Sequence, residues 1–152
     1  MKTKITPKDY KDIYEACNWN PRIFSKALKA LGYSDELIVY RNLNLYGTPI
    51  QSLVNIKEVN GWINLRETSI ESLGNLQTVG SYLDLEGTSI QSLGNLKEVG
   101  WYLYLQDTPI QSLGNLKRVR GPLYLEGTPL SKKYSEEEIR KIVKVDDGVF
   151  LG

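Results

Sequence analysis

The sequence contains no histidine, which removes the commonest general base and a frequent metal ligand from any proposed chemistry. Its one cysteine, Cys17, cannot form an internal disulfide, and a lone thiol fits a reducing compartment. No run of about 18 apolar residues suggests a membrane span. The opening MKTKITPKDY lacks the apolar segment of a secretory signal. Nor does one sign of charge dominate: 19 basic residues meet 18 acidic ones, so global charge does not direct the chain to nucleic acid. These absences lead us to expect a soluble cytoplasmic protein, and 152 residues suit one domain with a continuous core.

What is present is repetition. SLVNIKEVNGWINLRETSI from Ser52 recurs as SLGNLQTVGSYLDLEGTSI from Ser72, SLGNLKEVGWYLYLQDTPI from Ser92 and SLGNLKRVRGPLYLEGTPL from Ser112, a period of 20 residues. One column holds Leu45, Leu65, Leu85, Leu105 and Leu125; two residues earlier stand Leu43, Ile63, Leu83, Leu103 and Leu123. A threonine column runs from Thr48 to Thr128, followed by Ile50, Ile70, Ile90, Ile110 and Leu130. The second half of each unit adds columns led by Leu53, Ile56 and Val59. So few apolar residues cannot close a core within one unit, but stacked coil on coil they make a continuous one.

The L-x-L spacing has period two, so both leucines point inward and their neighbours outward. Each unit therefore contributes a short strand, and successive strands stack in parallel about 4.8 Å apart. The threonine stands where the chain leaves the strand, and its hydroxyl can bond backbone that would otherwise be buried unpaired. The SLGNL segment is too short for an α-helix and reads as turn and 3₁₀ structure on the opposite side.

The run L-x-L-x-x-T-x-I resembles the strand signature of leucine-rich repeats, with threonine in place of the usual asparagine. Units such as SLGNLKEVGWYLYLQDTPI resemble short leucine-rich-repeat proteins of bacteriophages, over roughly residues 41–130. The resemblance implies a leucine-rich-repeat solenoid with a parallel sheet on its concave face. It also implies a protein-binding scaffold that acts inside a bacterial host, for instance on a host or defence protein.

Open solenoids need covered ends. Residues 1–40 predict a helical N-terminal cap. Thr6 and Pro7 open one helix, with Tyr10, Ile13, Tyr14 and Cys17 on one face. Asn20 and Pro21 open a second, carrying Phe24, Ala27, Leu28 and Leu31, and Gly32 ends it. Ser34 to Glu36 reads as a further short turn. A docking or helix-turn-helix module is the alternative reading of this pair. Residues 131–152 predict a C-terminal cap: VRGPLYLE from Val119 aligns with VDDGVFLG from Val145 at an offset of 26. The extra residues form a short helix with a Ser135/Glu138 capping box, before a last strand at Val149 to Leu151.

Function belongs to the variable columns that face outward. Flanking and between the inward residues stand Trp62, Tyr82, Tyr102, Pro122, then Asn64, Asp84, Tyr104, Tyr124 and Phe150, then Tyr46, Arg66, Glu86, Gln106 and Glu126. Trp101 adds a ring beside Tyr102. Five carboxylates in these columns (Glu67, Asp84, Glu86, Asp107, Glu126) meet only Arg66, so an acidic, aromatic strip lies against a net basic remainder. Tyrosine and tryptophan supply rigid interface area at low entropy cost, and carboxylates around them favour a basic partner surface. The expected partner-binding residues are Trp62, Asn64, Arg66, Tyr82, Asp84, Glu86, Trp101, Tyr102, Tyr104, Gln106, Tyr124 and Glu126. The bland alternative is that these rings shield a sheet and support one another across strands. Self-association through the same face is a further possibility.

Enzymatic readings fare poorly. Glu86 and Glu126 lie two coils apart, roughly 9.6 Å by strand spacing, but an open sheet offers no dry pocket to tune a carboxylate. Cys17 has no histidine to activate it and reads as a core thiol. We expect no catalytic residue, no metal and no cofactor. Carbohydrate binding is the alternative function, with rings on sugars and Asn64, Asp84 and Gln106 bonding hydroxyls. Direct nucleic-acid binding would need Lys97, Lys117, Arg118 and Arg120, outside the strip.

Overall fold

A leucine two places from another can bury both side chains against one core only if the chain between them is extended, and in every repeat it is. The computed structural model describes residues 1–152. The chain opens with β1 (Lys2–Ile5), α1 (Pro7–Ala16), α2 (Pro21–Ala30) and β2 (Tyr33–Val39). The repeats alternate β3 (Leu43–Asn44), β4 (Ile56–Val59), β5 (Ile63–Asn64), β6 (Thr78–Val79), β7 (Leu83–Asp84), β8 (Glu98–Val99), β9 (Leu103–Tyr104), β10 (Arg118–Val119) and β11 (Leu123–Tyr124). Then come α3 (Pro129–Lys133), α4 (Glu136–Ile142), β12 (Lys144–Val145) and β13 (Val149–Phe150).

These strands form two parallel sheets, so the chain is a β-solenoid. The L-x-L strands make a six-stranded sheet in the order β3-β5-β7-β9-β11-β13. Leu43 pairs with Ile63, Ile63 with Leu83, Leu83 with Leu103 and Leu103 with Leu123, the register the period dictates. The SLGNL segments are turns, as expected, but without 3₁₀ helix. The residues that follow them form a second, seven-stranded sheet, β1-β2-β4-β6-β8-β10-β12. Local periodicity cannot reveal this sheet. Its central strands are only two residues long, and what holds them extended is pairing with the coil twenty residues away, as Val59–Val79–Val99.

One cluster of 38 buried residues fills the space that both sheets face. The leucines at 43, 45, 53 and 76 and the valines at 59, 79 and 99 are all within it. The threonine hydroxyls at 48, 68, 88, 108 and 128 each donate to the carbonyl three residues earlier in their own coil, at 2.6–2.8 Å. The column thus ties the strand exit to its own strand.

The N-terminal helices start where their caps predict. Thr6 accepts from the Asp9 N–H, and Asn20 from those of Arg22 and Ile23. Tyr10, Tyr14, Phe24 and Leu28 are buried, and Tyr14 stacks on Phe24 at 3.9 Å. Two tyrosine hydroxyls then do the work of a missing coil. Ser72 O accepts from Leu53 N of the coil before it, whereas Ser52 O accepts from Tyr14 Oη at 2.8 Å and Val54 O from Tyr10 Oη at 2.9 Å. Cys17 closes α1 and packs partly buried against the core.

Residues 1–40 are not only helical. The segment read as a turn at Ser34 to Glu36 lies inside β2, and β1 pairs beside it, Lys4 with Ile38 and Ile5 with Val39. The pair prolongs the second sheet; the polar KTKI of β1 carries no strand alternation, whereas β2 buries Leu37 and Val39 at period two. Lys2 lies over the Tyr33 ring and Lys4 over Tyr40. At the other end the extra residues form two short helices, with Thr128 capping α3 and a reciprocal Ser135/Glu138 box opening α4. Val119 pairs with Val145 and Leu123 with Val149, so the 26-residue offset returns the chain to register.

Candidate functional site

The outer face of the six-stranded sheet is where the variable columns meet. Tyr104, Tyr124 and Phe150 hold the same strand position in β9, β11 and β13. Their rings form an offset stack, with centroids 5.1 and 4.8 Å apart and planes within 8° and 12°. That spacing is close to the distance between strands, so the sheet itself sets the ladder. Tyr102 lies nearly parallel to Tyr104 at 5.6 Å, and Trp101 leans on Tyr102 at 4.5 Å. Trp62 and Tyr82 form a second stack at 5.3 Å and 3°. Tyr82 meets Tyr104 edge-on at 6.1 Å, which joins the two stacks into one aromatic surface.

The rings differ in exposure. Trp62, Tyr82, Tyr102, Tyr104 and Tyr124 are half-buried by one another, whereas Trp101 and Phe150 are exposed, at 51% and 44%. Gly121 makes room for Trp101, since a Cβ there would lie 2.7 Å from Trp101 Cδ1. Pro122, expected outward, is buried. Tyr46, in the first repeat, is exposed but stacks on none of these rings.

The polar residues divide into those the fold uses and those it leaves free. Asn44, Asn64 and Asp84 each accept through Oδ1 from the N–H two residues on, at 3.1 Å, so part of this column holds its own turn. Burial raises the Asp84 carboxyl above its ordinary value; the Glu86 N–H and Arg66 pull it back, and the Glu86 charge adds to the rise. Burial likewise raises the Tyr82 and Tyr104 hydroxyls, with Asp84 a smaller cause for each. Arg66, the one cation of the strip, faces Glu86 at 3.5 Å. In the next two coils of that column, Gln106 Oε1 and Glu126 Oε2 are shielded from water and have no hydrogen-bond partner.

The structure therefore gathers the ring residues into a single surface and places Arg66, Glu86, Gln106 and Glu126 along one border of it. It keeps Trp62 and Glu126 apart, three coils or roughly 14 Å along the sheet. Two border residues carry a property that was overlooked. Glu67 and Asp107 have left-handed backbone, φ 57° and 56°, at the column filled by Gly47, Gly87 and Gly127 in the other coils. The alternation of glycine with acid in that column was the available signal.

None of the surface grooves is lined by a residue of the aromatic face, so the face is open and offers no pocket for a small molecule. No group of three or more cysteine and carboxylate side chains is placed to hold a metal ion. No helix is long and apolar enough to cross a membrane. No protein-family model, no curated protein and no solved structure matches this chain.

Proposed function

We propose that the chain is a non-enzymatic protein-binding module, a solenoid of the leucine-rich-repeat type whose terminal helices cap its core. Its working surface is the outer face of the six-stranded sheet, and its partner presents a basic surface. The observation that carries this reading is the unbroken aromatic surface from Trp62 to Phe150, with Asp84 in line with its central rings and Glu86 and Glu126 along its border. A contiguous patch of large rings outside any groove matches a macromolecular contact rather than a small ligand. The resemblance of the repeats supplies the setting: a phage-encoded protein that binds and inhibits a host or defence protein in the host cytoplasm.

Carbohydrate binding is the weaker reading. Sugars stack on free ring faces, and the inner rings here are in contact with neighbours on both sides. Asn64 Oδ1 and Asp84 Oδ1 are already engaged by backbone.

Affinity capture from bacterial lysate tests the proposal, comparing wild type with Tyr102→Ala/Tyr104→Ala and with Glu86→Lys. A partner crosslinked to the aromatic face, lost in both variants and released by raised salt, is the expected result. Partner retention unchanged by both variants and by salt removes the face from the interaction. A protein that captures only itself turns the face into a self-association surface.

A further inference from the structure

The solenoid has a third side, made by the turns between its two sheets, and the bonds that join coil to coil along it have a gap. Ser52 bridges Ser72, and Ser92 bridges Ser112. Gln51 O accepts from the Glu71 and Ser72 N–H groups at 2.9 and 3.2 Å, and Gln91 O from those of Gln111 and Ser112 at 2.9 and 3.3 Å. Between these pairs, Glu71 O accepts from neither Gln91 nor Ser92, and Ser72 does not bridge Ser92. The glycines record the same gap as a distance. A Cβ on Gly74 would stand 2.3 Å from Leu53 O and one on Gly114 2.6 Å from Gly94 O, but one on Gly94 would meet nothing within 4 Å. A cleft of about 490 Å³ opens there, with Glu71 to Gly74 on one wall and Gln91, Ser92 and Gly94 on the other. The column reads Gln51, Glu71, Gln91, Gln111, and its one acid stands at the open interface.

The other two sides stay closed across this boundary. Leu83 pairs with Leu103 and Val79 with Val99. At the corner between the two sheets the Gly100 N–H donates to Val79 O at 2.8 Å, and a Cβ on Gly100 would lie 2.1 Å from Gly80 O. Backbone rests on backbone at that corner, while the turn side opposite stands apart. The aromatic surface changes its packing at the same boundary. Trp62 and Tyr82 lie parallel before it, and Tyr102, Tyr104, Tyr124 and Phe150 lie near-parallel after it. Across it, Tyr82 meets Tyr104 edge-on. We propose that this boundary is a hinge. The coils before and after it rock about the Gly80/Gly100 corner, which opens and closes the cleft and moves the Trp62/Tyr82 pair against the tyrosine ladder. Stacked coils are held by interfaces between neighbours, and the interface with the fewest bonds is the one that yields first. A hinge needs only a few turn residues to absorb the motion, and the turn side supplies them. The hinge belongs to the fold and holds whether or not the aromatic face binds a protein.

NMR of the full chain tests the hinge in two steps. In wild type, the Gln91 and Ser92 amides should exchange with solvent about tenfold faster than those of Glu71, Ser72, Gln111 and Ser112, which hold the same places in the repeat but are bonded. Equal protection overturns the proposal, because the third side is then closed throughout. The second step locks the cleft. In a Cys17→Ala background, Ser72→Cys/Ser92→Cys puts two thiols at a bridge position, where paired backbones about 4.8 Å apart accept a disulfide. Oxidation should form that bond, bring Gln91 and Ser92 to the protection of their counterparts and shift the ring resonances of Tyr82 and Tyr104. Reduction should reverse all three. A disulfide that forms and leaves Tyr82 and Tyr104 unmoved overturns the hinge, since the turns then move without the coils. So does a folded variant that resists oxidation while Ser92→Cys/Ser112→Cys oxidises, since the gap is then rigid. Should the cysteine variants not fold, relaxation dispersion of wild type decides. One exchange process shared by Glu71, Gln91 and Tyr104 supports the hinge, and none on the microsecond-to-millisecond scale overturns it.

Discussion

Glu67 and Asp107 each occupy a left-handed turn position where a side chain crowds its own backbone, at a typical cost of about 1–2 kcal/mol per residue. Glycine, present at 47, 87 and 127, avoids that cost but gains freedom in the unfolded chain, which offsets about 0.4–1 kcal/mol. Glu67→Gly should therefore stabilise the protein by about 0.5–1 kcal/mol, read from urea midpoints, while weakening its contact with a basic partner. An unchanged or lower midpoint would mean that the turn is not strained. Asp84 makes a different case. Its folded pKa lies above the ordinary 3.8 because burial disfavours the ionised form. Wild type therefore loses stability as pH rises from 3.8 through the folded value, and stays at that lower level at neutral pH. Asp84→Asn keeps the acceptor, as Asn44 and Asn64 do, and removes the charge. It should be more stable than wild type near neutral pH, by less than about 1 kcal/mol for a half-exposed group. The advantage should vanish at pH below 3.8. A gain that persists in acid would place its origin elsewhere.

At the scale of elements, each coil depends on two extended segments and the turns that join them. Gly74 lies in such a turn with φ 59°, and a Cβ there would stand 2.3 Å from Leu53 O of the coil beside it. Gly74→Ala combines backbone strain with a clash against backbone, so it should cost about 2–3 kcal/mol in urea unfolding. The first repeat shows how such a turn accommodates a side chain: Val54 stands in the same column, and the left-handed residue moves on to Asn55, φ 63°. A cost below about 0.5 kcal/mol for Gly74→Ala would mean that the second turn shifts in the same way. Much at this scale was legible in the sequence. The L-x-L strands, the Thr6 and Asn20 caps, the Ser135/Glu138 box and the 26-residue offset all rest on local chemistry or on the period. The second sheet was not legible, because two-residue strands and the polar KTKI of β1 have no alternation to detect; in β2 the Leu37/Val39 alternation was the available signal.

The whole molecule holds one continuous core, and the N-terminal helices are bonded into it through Tyr10 and Tyr14. Repeat arrays of this kind gain stability from interfaces between neighbours, and a short one with covered ends unfolds as a unit. Tryptophan emission reports both regions, from Trp19 beside the helices and from Trp62 and Trp101 on the sheet. Its urea transition should coincide with that of far-ultraviolet circular dichroism. An earlier fluorescence transition would show one region unfolding ahead of the rest.

The sequence by itself determined which columns go inside, because alternation and a twenty-residue period are properties of the chain read along its length. It also marked Tyr82, Tyr102, Tyr104, Tyr124 and Trp62 as outward. Only the tertiary structure decided that these rings stack on one another, that Asn64 and Asp84 serve their own turns, and that Gln106 and Glu126 are left without donors. Those outcomes depend on side-chain directions and distances between residues one coil apart, and such cross-coil geometry exists only once the coils are stacked.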